Sequence, residues 1–168
     1  MMEQIELHEH NPQWFSRFAE EKEALQKSFG ERISGIFHVG STAVAGLIAK
    51  PIIDIAMECD IYPPDSQIQQ QFQSLGYEAH GEAGVTGRYW FTKGHPRLIN
   101  LHFCKTGSPI VKKQLLFRDA LVENALLRSE YASLKLRNSV NNDIDDAGYA
   151  KSKSSLIEKT LSTKGVSS

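Results

Sequence analysis

The sequence predicts an α+β fold, one mixed β-sheet of about five strands covered by helices and followed by a helical C-terminal segment. Three stretches carry that reading. RLINLHFC (97–104) alternates apolar and polar residues from Ile99 to Phe103, the period of a strand with one buried face. PIIDIAMEC (51–59) is apolar almost without a break, which predicts a strand covered on both sides. NPQWFSRFAEEKEALQKSFG (11–30) spaces Trp14, Phe18 and Leu25 on one helical face.

Taken in order, the first helix starts with Asn11 as N-cap and Pro12 at the first helical position, and stops before Gly30. RISGIFHVG then reads as a strand, and a Gly-Ser turn with a short helical segment leads to PIIDIAMEC. A second helix follows in PPDSQIQQQFQSLG, started by Pro63-Pro64 and ended by Gly76. YEAH, RYWFTK and RLINLHFC are strands joined by glycine-bearing turns. Ser108-Pro109 opens a helix through IVKKQLLFRDALVEN, and ALLRSEYASLKLRNSV forms the next. After the turn-rich NNDIDD, AGYAKSKSSLIEKTL makes the last helix, and STKGVSS frays. Helix, two strands, helix, three strands and three helices make one α+β layer arrangement. With no repeat or linker dividing the chain, one domain is expected over residues 1–168, its helical part covering about 108–162.

Composition sets limits on function. Of the 168 residues 40% are hydrophobic and 23% charged, with a formal net charge of -1, which excludes wholesale disorder and gives no sign of a general nucleic-acid binder. The N-terminus lacks a basic start ahead of an apolar stretch, and no window approaches the roughly 20 apolar residues of a membrane span, so a cytoplasmic protein without membrane attachment is expected. Cys59 and Cys104 lack metal-site spacing and read as reduced thiols on core strands. Between Ala83 and Arg118 stand Arg88, Lys93, Arg97, Lys105, Lys112, Lys113 and Arg118 with no acidic residue. Gathered on one face, these would attract an anionic ligand; spread out, they would guard an edge strand.

Chemistry concentrates around Asp54. A carboxylate in so apolar a strand needs a partner, and alternation points Asp54 with Ala56 and Glu58, away from Ile53, Ile55 and Met57. Gly40, Ser41 and Thr42 occupy the turn leaving the preceding strand, where backbone N–H groups and two hydroxyls can cradle phosphate oxygens, with Lys50 adding charge. The spacing is neither a Walker A loop nor a G-x-S-x-G elbow. Asn100 and His102 share a face of their strand, and His38 just precedes the turn. Arg88 and Tyr89 could reach a phosphate and stack on a base, whereas Trp90 and Phe91 read as core. Arg118 and Asp119, adjacent on a helix, face different ways, so each pairs outward, with Lys135, Lys153 and Tyr149 as available partners. The plainer alternative makes Asp54 a buried clamp for the turn and Lys50, and His102 an ordinary core histidine.

The run HVGSTAVAGLIAKPIIDI, with NLHF, FRDAL, EYASLK and YAKSK downstream, resembles the GrpB family, a largely uncharacterised branch of the DNA polymerase beta-like nucleotidyltransferases. That resemblance runs from the first helix to the last. It implies a nucleotidyltransferase-like fold and a pair of carboxylates two residues apart that hold Mg²⁺, with a third from a neighbouring strand. Here Asp54 matches the first, Ala56 stands at the second, and the third falls on the strand of Asn100 and His102. Glu58, roughly 13 Å along the strand, is too far to share an ion with Asp54. The implied metal set is therefore Asp54, His102 and Asn100, with His38 as an alternative, holding one divalent ion; nitrogen donors tilt the choice from Mg²⁺ toward Mn²⁺ or Zn²⁺.

Three functions are consistent with these residues. In the first, Gly40, Ser41, Thr42 and Lys50 hold the phosphates of a nucleoside triphosphate, Asp54 and His102 bind the metal, and Arg88 or Arg118 neutralises the leaving pyrophosphate. His102 or His38 would act as base toward an acceptor that the sequence does not name. The second is a non-catalytic module that keeps recognition of a nucleotide or other phosphorylated small molecule. The third is a phosphate-ester hydrolase using a single metal.

Overall fold

Alternation along the strands sorts the molecule into two unequal faces of one sheet. The computed structural model describes residues 6–140 and 146–163, with side chains over 6–137 and 153–163. Its elements run α1 (Gln13–Phe29), a 3₁₀ turn (Gly30–Arg32), β1 (Ile33–Val39), a second 3₁₀ turn (Ser41–Ala43), β2 (Ile53–Cys59) and α2 (Ser66–Ser74). There follow β3 (Tyr77–Ala79), β4 (Arg88–Lys93), β5 (Ile99–Lys105), α3 (Pro109–Glu123), α4 (Ala125–Val140) and α5 (Asp146–Thr163). The sheet order is β1-β2-β5-β4-β3, with β2 and β5 parallel and the other pairs antiparallel. This is the expected α+β architecture. The tail beyond residue 163, expected to fray, and the turn at 141–145 lie outside the described residues.

Local chemistry sets the helix starts. Ser108 Oγ accepts from the Ile110 N–H at 3.2 Å, and Pro109 follows at the first position, as expected. Asn11 Oδ1 accepts from Gln13 N–H at 2.9 Å, placing the start of α1 one residue later than expected. Prolines 63 and 64 do not open α2; Asp65 does, its Oδ1 accepting from Ile68 N–H at 2.8 Å, because it supplies the capping oxygen that proline lacks.

One face of the sheet is a dry core. Ile53, Ile55 and Met57 of β2 join Ile99, Leu101 and Phe103 of β5 and Phe91 of β4 against Trp14 and Leu25 of α1 and Phe72 of α2. Phe72 stacks on Phe91 with ring centroids 4.1 Å apart. Each such fully buried side chain stabilises the fold by about 1.5–3 kcal/mol. On the opposite face the sheet offers less buried apolar volume: Val39, Ala56 and Cys104 lie under Val111, with the partly buried Phe37 beside them. The helices α3, α4 and α5 instead make their own cluster with the turn region, through Val44, Leu47, Phe117, Leu121, Tyr131 and Leu156. Space therefore remains between that cluster and the middle of the sheet. Both cysteines are free and buried, as expected. No helix among the described residues is long and apolar enough to cross a membrane.

Candidate functional site

The parallel register sets Asp54 beside Asn100 and Ala56 beside His102, so all four point to the same face. His102 Nε2 lies 3.6 Å from Asp54 Oδ1. The Asp54 side chain keeps 29% of its surface exposed, enough to open on a cleft rather than serve as a sealed clamp. Burial pushes its carboxyl up, but His102, then Lys153 and the Asn100 amide, outweigh that and hold it below the usual carboxylate range. Asp54 is therefore a carboxylate at neutral pH.

Asn100 is oriented by a residue that the sequence places in the core. The Trp90 indole N–H donates to Asn100 Oδ1 at 3.2 Å. An indole can only donate, so the amide oxygen faces Trp90 and the amide N–H₂ is left for Asp54. This corrects two expectations. Trp90 belongs to the cleft face, opposite His102 in the β4–β5 register, and the Asn100 oxygen is committed elsewhere than to a metal.

The Gly-Ser turn sits directly over the carboxylate. Gly40 has φ 73° and ψ -172°, a region open in practice to glycine alone, and a Cβ there would overlap Asp54 Oδ2. Ser41 Oγ accepts from the Lys135 ammonium, which also donates to the Ile48 carbonyl at 3.1 Å. Thr42, 1% exposed, shares a hydrogen bond with His38 Nε2 at 2.8 Å and so latches the turn instead of presenting an oxygen to a ligand.

His38 departs from its expected place. Paired with Ile55, it projects to the dry face, its ring stacked on Phe18 at 4.7 Å. Burial drives its pKa down to about 4, Asp54 opposing and Arg118 and His10 adding, so it is a neutral structural histidine and not a ligand or base of the cleft. Arg88 is also displaced. It lies opposite Cys104, two pairs along the sheet from His102, with its guanidinium on the Glu82 carbonyl at 3.1 Å and over the Trp90 ring at 5.9 Å, and it lines neither cleft cavity. Tyr89, alternating with Trp90, packs against the dry core. Arg118 does reach the cleft; it pairs with its neighbour Asp119 at 2.9 Å, contrary to the expectation that the two face apart, and it reaches another element by donating to the His38 carbonyl of β1 at 3.1 Å. The Tyr149 side chain lies outside the described residues.

Two cavities meet over Asp54 and share Ser41, Asp54 and Lys153. One, about 190 Å³, carries Lys50, Arg97, Asn100 and Lys135. The other, about 270 Å³, has Lys113 and Arg118 at its wall with Phe117, Leu121, Tyr131 and Ile157. Together the linings hold six cationic residues (Lys50, Arg97, Lys113, Arg118, Lys135, Lys153) and a single carboxylate. Arg97, Lys113, Lys135 and Lys153 are members that the sequence did not assign to the site. Of the basic segment 83–118 only Arg97, Lys113 and Arg118 reach it; Lys93, for instance, bonds Glu21 at 2.8 Å on the opposite face.

The donor set does not suit the metal centre that the resemblance implies. Ala56 has no ligand atom, the Asn100 oxygen faces Trp90, and Glu58 accepts from Gly107 N–H at 3.4 Å at the far end of the strand. Asp54 and His102 remain, and among the described residues no three His, Cys, Asp or Glu side chains are grouped to hold an ion. Two donors with one negative charge fall short of a two-magnesium centre.

An open mixed sheet with a cation-lined cleft over its parallel pair defines an α+β protein whose site faces away from its main core. The chain belongs to the GrpB family: the family described as GrpB protein matches residues 4–163. It is 39% identical over 132 residues to the UPF0157 protein YqkA of Bacillus subtilis, an alignment covering 78% of this chain and 38% of that one, so the chain spans well under half of that relative. It is 30% identical over 161 residues to the UPF0157 protein BH1888 of Halalkalibacterium halodurans, covering 94% of this chain and 80% of that one. The crystal structure of GrpB from Enterococcus faecalis superposes with a TM-score of 0.85 at 29% identity, covering 95% of this chain and 99% of that one.

Proposed function

We propose that the cleft binds a nucleoside triphosphate or a similarly phosphorylated small molecule, and that it does so without a two-metal centre. The observation that carries this reading is the makeup of the lining: Lys50, Arg97, Lys113 and Lys153, with Lys135 and the Asp119-paired Arg118, surround two joined cavities lined by one carboxylate, in a chain whose net charge is -1. Such a concentration raises the local concentration of anionic ligands. The joined cavities approach the roughly 300–1,000 Å³ of small-molecule sites. Their chemistry is divided, with lysines and Arg97 on one side and an apolar wall of Phe117, Leu121 and Ile157 on the other, as a nucleotide with its charged chain and flat base requires. Asp54, held as a carboxylate, is placed to accept from a ligand hydroxyl or amine.

Thermal unfolding with ATP, GTP, CTP and UTP, each with and without chelator, tests the proposal. Stabilisation by at least one nucleotide that persists in chelator supports it; no shift with any of them removes it. Nucleotidyl transfer is a second reading, favoured by the ionised Asp54 carboxylate that opens on the cleft, which would accept the proton of an acceptor hydroxyl. Pyrophosphate release that Asp54→Asn abolishes would establish turnover, and nucleotide binding without release leaves recognition as the function.

A further inference from the structure

Lys135 is the most buried cation of the cleft and the one whose burial the known features of the site leave unexplained. It comes from α4, 94 positions beyond Ser41, and is 4% exposed. Its ammonium contacts Ser41 Oγ and the Ile48 carbonyl, and lies 4.9 Å over the Tyr131 ring. Charged groups face it from each surrounding element: Lys153 from α5, Lys50 from the segment before β2, Arg97 from the β4–β5 connection and Asp54 from β2. Lys50, Arg97, Lys135 and Lys153 thus border a cavity of about 190 Å³ whose lining holds one carboxylate.

We propose that this cavity seats the di- or triphosphate chain of the ligand, and that Lys135 takes up a proton as the chain arrives; this rests on the phosphorylated-ligand reading above. Without ligand, burial and then Lys153 oppose the ammonium, Asp54 favours it and Lys50 opposes it again, bringing the pKa of Lys135 down to about 7. Adjacent phosphate oxygens supply the missing negative charge and return it toward its ordinary value near 10.4. At a pH of about 8 roughly nine-tenths of free molecules carry neutral Lys135 and bound molecules carry it charged, so about 0.9 proton is taken up per ligand. Near pH 6 the group is already charged in both states, and uptake from it falls to about 0.1 proton. A monophosphate has too little charge and reach to engage the four cations at once.

Calorimetric titration of the full chain in chelator, in two buffers of different ionisation enthalpy, reads the proton count directly. ATP, AMP and inorganic triphosphate are the probes. ATP should bind with about 0.9 proton taken up near pH 8 and little near pH 6, and AMP about tenfold more weakly or worse. Lys135→Met should weaken ATP and abolish the uptake, whereas Lys135→Arg, charged at every working pH, should bind without uptake. Inorganic triphosphate binding as tightly as ATP would make the phosphate chain itself the ligand, and weaker binding would add the nucleoside to it; both support the subsite. ATP binding with no uptake near pH 8, or with uptake unchanged in Lys135→Met, overturns the proposal and leaves nucleotide recognition standing. Binding of none of the three removes both.

Discussion

The two faces of the sheet are made by the same strands and do opposite work. In β2, Ile53, Ile55 and Met57 meet α1 and α2 in a core with almost no exposed surface. The residues between them, Asp54, Ala56 and Glu58, face helices that touch the sheet lightly. Aromatic volume fills the first face, with Phe72, Phe91 and Phe103 in mutual contact. Small Ala56 and Gly40 keep the second open. The cavities and the carboxylate lie on the side with the smaller apolar cluster, and a one-residue change of parity is all that separates His38, neutral and stacked, from His102, partly exposed beside a carboxylate.

That division can be attacked at either face. Phe72→Ala should have the largest effect, a loss of about 3–5 kcal/mol in urea unfolding, while the molecules that remain folded keep their ATP affinity. If affinity fell as well, the faces would not be independent. His38 gives the next effect. It is protonated near pH 6.5 when unfolded and only near 4 when folded, so the unfolded state binds more protons between these values and stability must fall as pH drops through that window. The total is about 3 kcal/mol, present at pH 7 and lost by pH 4, and His38→Phe should flatten this part of the curve. A flat curve in the parent would place the imidazole in water and contradict the dry face. Gly40→Ala should cost about 1–3 kcal/mol from its backbone angles, and by pushing on Asp54 it should also lower ligand affinity, the combination expected only where fold and cleft touch. Smallest is Trp90→Phe, worth about 1 kcal/mol in stability through the lost indole bond. Because it frees the Asn100 amide to turn, it should also shift the Asp54 titration followed by NMR, and an unmoved titration would mean that Trp90 does not orient the amide.

The sheet and half of its site were legible because a strand's period of two is written directly in residues. Asp54, Asn100 and His102 could be assigned to a common face from alternation, and the parallel pairing of β2 and β5 did the rest. Trp90 was missed because an indole in a strand reads as core, although its parity with Thr92, the partner of Asn100, carries the correct face. Lys135 was missed because its contact spans 94 positions, beyond any local pattern. Its signal was still present: Leu127, Tyr131 and Lys135 fall at four-residue spacing, which puts a lysine on the inward stripe of α4. Arg88 was misplaced because a tally of charges in sequence ignores that four residues of strand move a side chain roughly 13 Å.

The structure of crystals soaked with a non-hydrolysable nucleoside triphosphate is the most direct measurement of the central claim. Phosphates lying against Lys50, Arg97, Lys135 and Lys153, with the base toward Phe117 and the Asp54 carboxylate beside the ligand, are the predicted result. Nucleotide bound elsewhere on the protein, or a cleft that stays empty at saturating concentration, would contradict it.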